Sequence, residues 1–113
     1  MYYIYMVRCT DGSHYTGIAA DPARRMREHL ERGKACAKYT RSHPIQALDA
    51  LWQTETKADA CRLEYFLKTL TKAQKLALIE DPALLGVFFA GKLVPEDYIY
   101  IPGATLEEPA RNT

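Results

Sequence analysis

The fold is decided near the start of the chain by three consecutive segments: Tyr3-Ile4-Tyr5-Met6-Val7, Thr10-Asp11-Gly12-Ser13 and His14-Tyr15-Thr16-Gly17-Ile18. The first and third segments are rich in aromatic and β-branched residues, which favour strands. The middle segment carries Asp-Gly, a pair typical of tight hairpin turns. The sequence therefore predicts a β-hairpin in which Tyr3 and Tyr5 share one face, as do Tyr15 and Gly17.

A helix is predicted directly after the hairpin. Asp21 is a suitable N-cap, Pro22 suits the first helical position, and Gly33 suits the position after the last turn. We expect the helix to run from Pro22 to about Arg32. Its apolar stripe consists of Ala23, Met26 and Leu30, and a separate face presents Arg25, His29 and Arg32.

The middle of the chain combines one ambiguous segment with one clear helix. Residues 34–43 lack an amphipathic period and predict a basic loop. Residues 44–54 fit a helix as well as a strand, and propensity favours the helix. Residues 56–59 resemble a capping box and open a helix whose core stripe is Leu63, Phe66, Leu67 and Leu70.

A polar seam would follow that helix if it continued unbroken, since carboxylate and ammonium groups fall at i, i+4, i+8 and i+11: Glu64, Lys68, Lys72 and Lys75. Alternatively, Thr71 caps a separate helix over residues 72–79. Pro82 would end either arrangement.

Composition favours one folded domain in a reducing compartment. The 113 residues are 48% hydrophobic and 26% charged, which excludes disordered and collagen-like classes. No apolar run is long enough to span a bilayer, and the first residues lack the basic region of a signal peptide. The three cysteines form no CxxC pair. We therefore expect a cytoplasmic protein that does not bind membranes.

Charge is distributed unevenly along the chain. Residues 1–80 contain 13 Lys and Arg against 9 Asp and Glu, whereas residues 81–113 contain 2 against 5. Within residues 24–41, seven basic side chains face only two acidic ones. This local excess indicates a polyanionic partner.

The order of motifs resembles the GIY-YIG nuclease superfamily, and more narrowly its small stand-alone bacterial branch. The resemblance covers residues 2 to about 80 and rests on five landmarks: Tyr3-Ile4-Tyr5, Tyr15-Thr16-Gly17-Ile18, the segment Asp21 to His29, Lys38-Tyr39-Thr40-Arg41, and Glu64-Tyr65 with Leu70-Thr71-Lys72-Ala73-Gln74-Lys75. Two departures stand out: Tyr3 replaces the glycine of the first motif, and the asparagine that closes the module in larger relatives has no evident counterpart.

The resemblance implies an α+β fold, with a three-stranded central sheet flanked by helices in the order β-β-α-β-α-α. It assigns residues 45–53 to the third strand. It also implies a nuclease-like domain over residues 1–80 and a partly packed extension over residues 81–113. We expect residues 104–113 to be mobile because they offer few apolar anchors.

The resemblance further implies a metal-dependent nuclease acting on DNA. Glu64 would hold one divalent cation, Mg²⁺ or alternatively Mn²⁺, and Arg25 would brace the phosphate. Tyr5 would activate water and Tyr15 would orient the phosphate, although the two roles remain interchangeable. Gly17 would allow close backbone approach. His29 is an alternative base or phosphate contact, or simply a surface residue.

A track for the nucleic-acid backbone is predicted from eight basic residues and one tyrosine: Arg24, Arg27, Lys34, Lys38, Tyr39, Arg41, Lys68, Lys72 and Lys75. Zinc is disfavoured because Cys36, His43 and Cys61 lack ligand-pair spacing. No separate DNA-targeting domain is evident. Two other interpretations remain open: a non-catalytic nucleic-acid-binding module with the same fold, and an adaptor that binds a protein partner through its apolar tail.

Overall fold

The computed structural model describes residues 1–31 and 36–109. Its main elements in chain order are β1 (Tyr2–Cys9), β2 (His14–Ala19), α1 (Pro22–Glu31), α2 (Lys38–Ser42), β3 (Ile45–Thr54), α3 (Lys57–Lys68), α4 (Lys72–Glu80), α5 (Leu85–Phe88) and β4 (Ile99–Tyr100). Two short 3₁₀ turns, Pro82–Leu84 and Pro95–Asp97, flank α5. The α+β class predicted from the sequence is confirmed.

An antiparallel sheet in the order β2-β1-β3-β4 forms the centre of the molecule. The predicted hairpin is present, and Tyr5 pairs with Gly17 across it. Gly12 adopts a positive φ of 85° in the turn, a conformation that glycine tolerates best. The Asp11 carboxylate accepts hydrogen bonds from the Ser13 backbone and hydroxyl, which stabilises the turn.

Both faces of the sheet are covered, so consecutive residues of β1 are all buried from Ile4 to Val7. One face packs on α3, α4 and the segment after them through residues such as Trp52, Leu63 and Leu67. The other face contains Tyr5, Met26 of α1 and Leu51. The two layers bring α1 and α3 to opposite sides of the strand that carries Tyr5.

Helix α1 begins as predicted but buries a different face. The Asp21 side chain accepts from the Arg24 backbone N–H, as an N-cap does. The inward residues are Pro22, Met26 and His29, whereas Ala23 and Leu30 of the predicted stripe are exposed. The prediction of a solvent-facing His29 was therefore wrong. The predicted end of the helix at Arg32 and Gly33 lies outside the described residues.

Two segments in the middle of the chain adopt a secondary structure other than the one that their local sequence pattern favoured. Residues 38–42 form the short helix α2, where a loop was expected. Residues 45–54 form β3, which confirms the strand that the resemblance implied. The register shifts between the β1 residues Met6 and Val7, leaving Asp49 as an extra residue in β3. Its carboxylate lies 2.9 Å from His14 Nε2.

Helices α3 and α4 are separate, which breaks the continuous polar seam. Thr56 caps α3 by accepting from the Asp59 backbone N–H. Thr71 and Gln74 form a complete capping box at the start of α4. Thr71 therefore caps a second helix, as the alternative interpretation predicted.

The C-terminal segment adds a fourth strand to the sheet, so the prediction of three strands was wrong. β4 pairs with β3 through Trp52 and Tyr100. Phe89 and Tyr98 from the same segment are buried against α3 and β3. Ala104 and Leu106 also pack against the sheet, so residues 104–109 have more apolar anchors than we expected. Within the described residues, no helix is long and apolar enough to cross a membrane.

Candidate active site

The centre of the site is the hydroxyl of Tyr5, a side chain only 1% exposed. It lies 2.8 Å from His29 Nε2 and accepts a hydrogen bond of 3.3 Å from Arg25 Nε. On its other side, His29 Nδ1 lies 2.6 Å from the Thr40 hydroxyl, and both His29 and Thr40 are fully buried. Strand β1, helix α1 and helix α2 thus meet in one hydrogen-bonded chain.

Burial keeps the two central groups uncharged. It raises the pKa of Tyr5 to about 12, although hydrogen bonding and charge from Arg25 oppose the increase and the charges of Tyr15 and Glu64 add to it. Burial likewise lowers the pKa of His29 to about 4, and the positive charge of Arg25 lowers it further. At neutral pH the pair is therefore a phenol beside a neutral imidazole.

Arg25 is held in place from two directions. Its Nη1 lies 2.8 Å from the Glu28 carboxylate, one helical turn away, while its Nε donates to Tyr5. Arg24 Nε is 3.4 Å from the same Glu28, but its side chain is 72% exposed. Arg25 is therefore the arginine that reaches the buried tyrosine, whereas Arg24 lies at the surface.

Gly17 makes room for the Tyr5 ring. A Cβ at Gly17 would lie 2.5 Å from Tyr5 Cζ and would also overlap the hydroxyl oxygen. Real Cβ atoms do not approach other heavy atoms this closely, so any side chain would displace the ring. Close packing against the Tyr5 ring therefore requires glycine at this position, and the role that the resemblance implied for Gly17 in the site stays a prediction.

An aromatic stack borders the site. Tyr15 lies 6.2 Å from the Tyr5 ring and 5.7 Å from the His29 ring, measured between centroids. Tyr39 of α2 stacks between Tyr15, at 5.9 Å, and His43, at 4.0 Å. The Tyr39 hydroxyl donates to Ser13 in the hairpin turn. Tyr15 and Tyr39 therefore form one wall of the site.

Glu64 approaches from the opposite layer. Its side chain is 26% exposed, and its carboxylate lies 3.5 Å from Lys68 Nζ and near enough to Tyr5 to raise the pKa of that hydroxyl. Within the described ranges, no group of three His, Cys, Asp or Glu side chains is arranged to hold a metal ion. A cation at Glu64 would have one carboxylate and several waters, a donor set that fits Mg²⁺.

The residues predicted to contact nucleic acid lie on several different helices, mostly at the surface. Exposed positions include Arg24, Arg27, Lys38, Arg41, Lys68 and Lys72, while Lys75 is partly buried. Arg41 also donates to the Cys36 carbonyl at 3.3 Å. Lys72 lies beside the hairpin turn, since its Nζ is 3.4 Å from where a Gly12 Cβ would be. Lys34 lies outside the described residues.

Three contributors to the site were missed from the sequence. Glu28, which orients Arg25, was counted only as a negative charge, although its i+3 spacing is a usable signal. Thr40 and Cys36 contact each other at 2.9 Å and lie beside His29. No local sequence pattern indicates a role for Thr40 or Cys36, because they contact His29 only through tertiary packing.

Comparison with known proteins places this chain in a family. A model of the GIY-YIG catalytic domain matches residues 1–77. A UPF0213 protein of Fusobacterium nucleatum is 41% identical over 81 residues, covering 72% of this chain and 79% of that protein. A UPF0213 protein of Cupriavidus necator is 48% identical over 77 residues, covering 67% and 80%.

Among solved structures, the solution NMR structure of a UPF0213 protein from Bacillus halodurans matches at 39% identity and a TM-score of 0.46. The match covers 71% of this chain and 84% of that one. The resemblance found in the sequence motifs is confirmed by the family model and the relatives together. The chain belongs to the GIY-YIG family, the catalytic domain of a nuclease superfamily, and to its small UPF0213 branch.

Proposed function

We propose that this protein is a metal-dependent endonuclease that hydrolyses phosphodiester bonds in DNA, directed by the structure of the substrate rather than its sequence. The observation that carries the proposal is the Tyr5 hydroxyl, held between His29 Nε2 at 2.8 Å and Arg25 Nε at 3.3 Å. A proton acceptor and a phosphate-binding cation thereby flank one buried hydroxyl. This is the combination that attack by water on a phosphodiester needs.

Tyr5 acts as the proton carrier in this scheme. Its pKa of about 12 excludes a resting phenolate at neutral pH. Full transfer of its proton to His29, whose pKa burial lowers to about 4, is unfavourable in the free protein. The transfer is therefore coupled to attack: the Tyr5 oxygen takes the proton of the incoming water as its own proton moves to His29 Nε2.

Arg25 binds and orients the phosphate. Its planar guanidinium suits two oxygens at once, and Glu28 fixes its direction from one side. Tyr15, beside both Tyr5 and His29, aligns the phosphate against the tyrosine. These contacts reduce the freedom of the substrate before the reaction begins.

Glu64 is the residue that would hold the cation. A divalent ion held there would supply Lewis-acid stabilisation of the charge that develops on the phosphate. Lys68, 3.5 Å from the same carboxylate, adds positive charge on the substrate side. The exposed basic residues of α1, α2 and α4 attract the nucleic-acid backbone and contribute little sequence preference.

Cleavage of labelled substrates tests this proposal. Single-stranded, duplex and branched DNA and matching RNA are incubated with the wild-type chain in Mg²⁺, Mn²⁺ or EDTA. We expect metal-dependent cleavage of DNA that Tyr5→Phe reduces at least 100-fold. Tyr3→Phe is the matched control, since Tyr3 lies on the same face with its hydroxyl on Met1. A chain that binds these substrates without cutting any of them would instead be a binding module.

A further inference from the structure

The hydrogen-bonded chain at Tyr5 continues past His29 into α2. The Thr40 hydroxyl lies 2.6 Å from His29 Nδ1 and 3.2 Å from the Ala37 carbonyl oxygen. Cys36 Sγ lies 2.9 Å from the same hydroxyl. A threonine hydroxyl has one hydrogen to donate and two lone pairs to accept with. Only one of the three neighbours can therefore receive its hydrogen, and the others must act as donors to it.

The Ala37 end of the chain allows two directions. Its carbonyl oxygen only accepts, but it already receives the Arg41 backbone N–H at 3.0 Å, so the Thr40 hydrogen can point either to Ala37 or to a bare His29 Nδ1. In the first case the Thr40 oxygen accepts from His29 Nδ1–H and from the Cys36 thiol, and every donor and acceptor around Thr40 has a partner. The Tyr5 end decides between the two directions.

The contacts of Tyr5 select the first direction, in which His29 carries its hydrogen on Nδ1. Arg25 only donates, so its Nε–H is received by the Tyr5 oxygen. If His29 Nε2 also carried a hydrogen, the Tyr5 oxygen would accept twice, and its own hydrogen would lack an acceptor within residues 1–31 and 36–109. With Nε2 bare, the Tyr5 hydrogen has an acceptor at 2.8 Å.

We propose that Thr40 is a positioning residue that holds His29 as the Nδ1–H tautomer, which leaves Nε2 bare to receive the proton of Tyr5. In the reaction the Tyr5 O–H bond breaks and an Nε2–H bond forms, while the attacking water gives its proton to the Tyr5 oxygen. The proton on His29 returns to solvent through Tyr5 after product release. The role in turnover rests on the proposed function, whereas the tautomer is a property of the chain alone.

Histidine ¹⁵N NMR tests the tautomer without any substrate, since protonated and bare ring nitrogens have well-separated shifts. In the wild type we expect His29 with hydrogen on Nδ1. Thr40→Val keeps the shape but removes the acceptor and should shift His29 toward Nε2–H. Thr40→Ser should restore the wild-type pattern. The matched control is Thr54→Val, which removes a buried hydroxyl bonded to the Asp97 carbonyl and should leave His29 unchanged.

Kinetics of the same variants give the second readout. Thr40→Val should lower kcat about 10-fold or more with KM nearly unchanged, and Thr40→Ser should recover it. A wild-type His29 with hydrogen on Nε2 overturns the proposal even if Thr40→Val does not fold. So does a Thr40→Val chain that keeps the Nδ1–H tautomer. Absence of cleavage by the wild type would refute the nuclease function instead and leave the tautomer assignment standing.

Discussion

His29 should make the stability of the folded chain depend on pH in a defined window. Its pKa is lowered to about 4 by burial and by Arg25, against an ordinary value of 6.5. Below pH 6.5 the unfolded chain therefore binds a proton that the folded chain does not. The stability that this group contributes is fully present above 6.5 and is lost as pH falls towards 4.

The size of this loss of stability follows from the two pKa values of His29, 6.5 in the unfolded chain and about 4 in the folded chain. Between pH 7 and pH 4.5, the free energy of unfolding should fall by about 2 kcal/mol because of His29 alone. The steepest part should approach about 1.4 kcal/mol per pH unit, the limit for one proton. This is a large fraction of the stability of a domain, which is about 5–15 kcal/mol.

Urea unfolding at pH 7, 6, 5 and 4.5 measures this loss. His29→Gln is the comparison, since glutamine bonds to neighbours but does not titrate. The carboxylates of Asp11 and Glu28, whose pKa values are lowered by hydrogen bonds from Ser13 and Arg25, are present in both chains and cancel in the difference. The variant should lose less stability than the wild type by about 2 kcal/mol over this range. Parallel curves would refute the buried neutral histidine; a direct NMR titration of His29 in the wild type decides the matter if the variant is unfolded.

Three further outcomes are expected. Gly17→Ala should destabilise the chain by about 1–3 kcal/mol in urea unfolding because its Cβ overlaps the Tyr5 ring; an equal loss in Gly86→Ala, where the Cβ meets two ring carbons of Pro95, the nearer at 3.2 Å, would contradict this reason. Removing residues 104–113 should lower the melting temperature by a few degrees through the lost packing of Ala104 and Leu106 but should preserve cleavage, and loss of soluble protein would show a larger role. DNA affinity should fall about 10-fold or more between 50 and 200 mM salt, and a flat response would argue against a phosphate track.

The sequence predicted the hairpin and the helix starts because their signals are local. Asp11-Gly12, the Asp21 cap and the Thr71 cap act within four residues of chain, and each formed the turn or helix end that its chemistry favours. β3 was different. Leu51 and Trp52 are adjacent and both buried because the sheet is covered on both faces, so the alternation that marks a strand is absent. Family resemblance was needed to assign it.

The site was only partly predictable for a related reason. A polar residue on an amphipathic helix is ordinarily assigned to solvent, and His29 is buried only because Tyr5 and Thr40 provide partners from other elements. The fourth strand, Ile99–Tyr100, is two residues long and adjoins a 3₁₀ turn. Such a strand exists through its pairing with β3 and leaves no periodic signal of its own.

Glu64→Gln tests the central claim most directly, because it removes the anionic metal ligand while keeping side-chain volume and helix propensity. Cleavage and DNA binding are measured side by side in Mg²⁺ for the wild type, for this variant and for Glu80→Gln, an exposed carboxylate at the end of α4. We predict that cleavage by Glu64→Gln collapses while binding persists or tightens, and that Glu80→Gln behaves as the wild type. Metal-dependent cleavage that survives Glu64→Gln unchanged would contradict the proposed site.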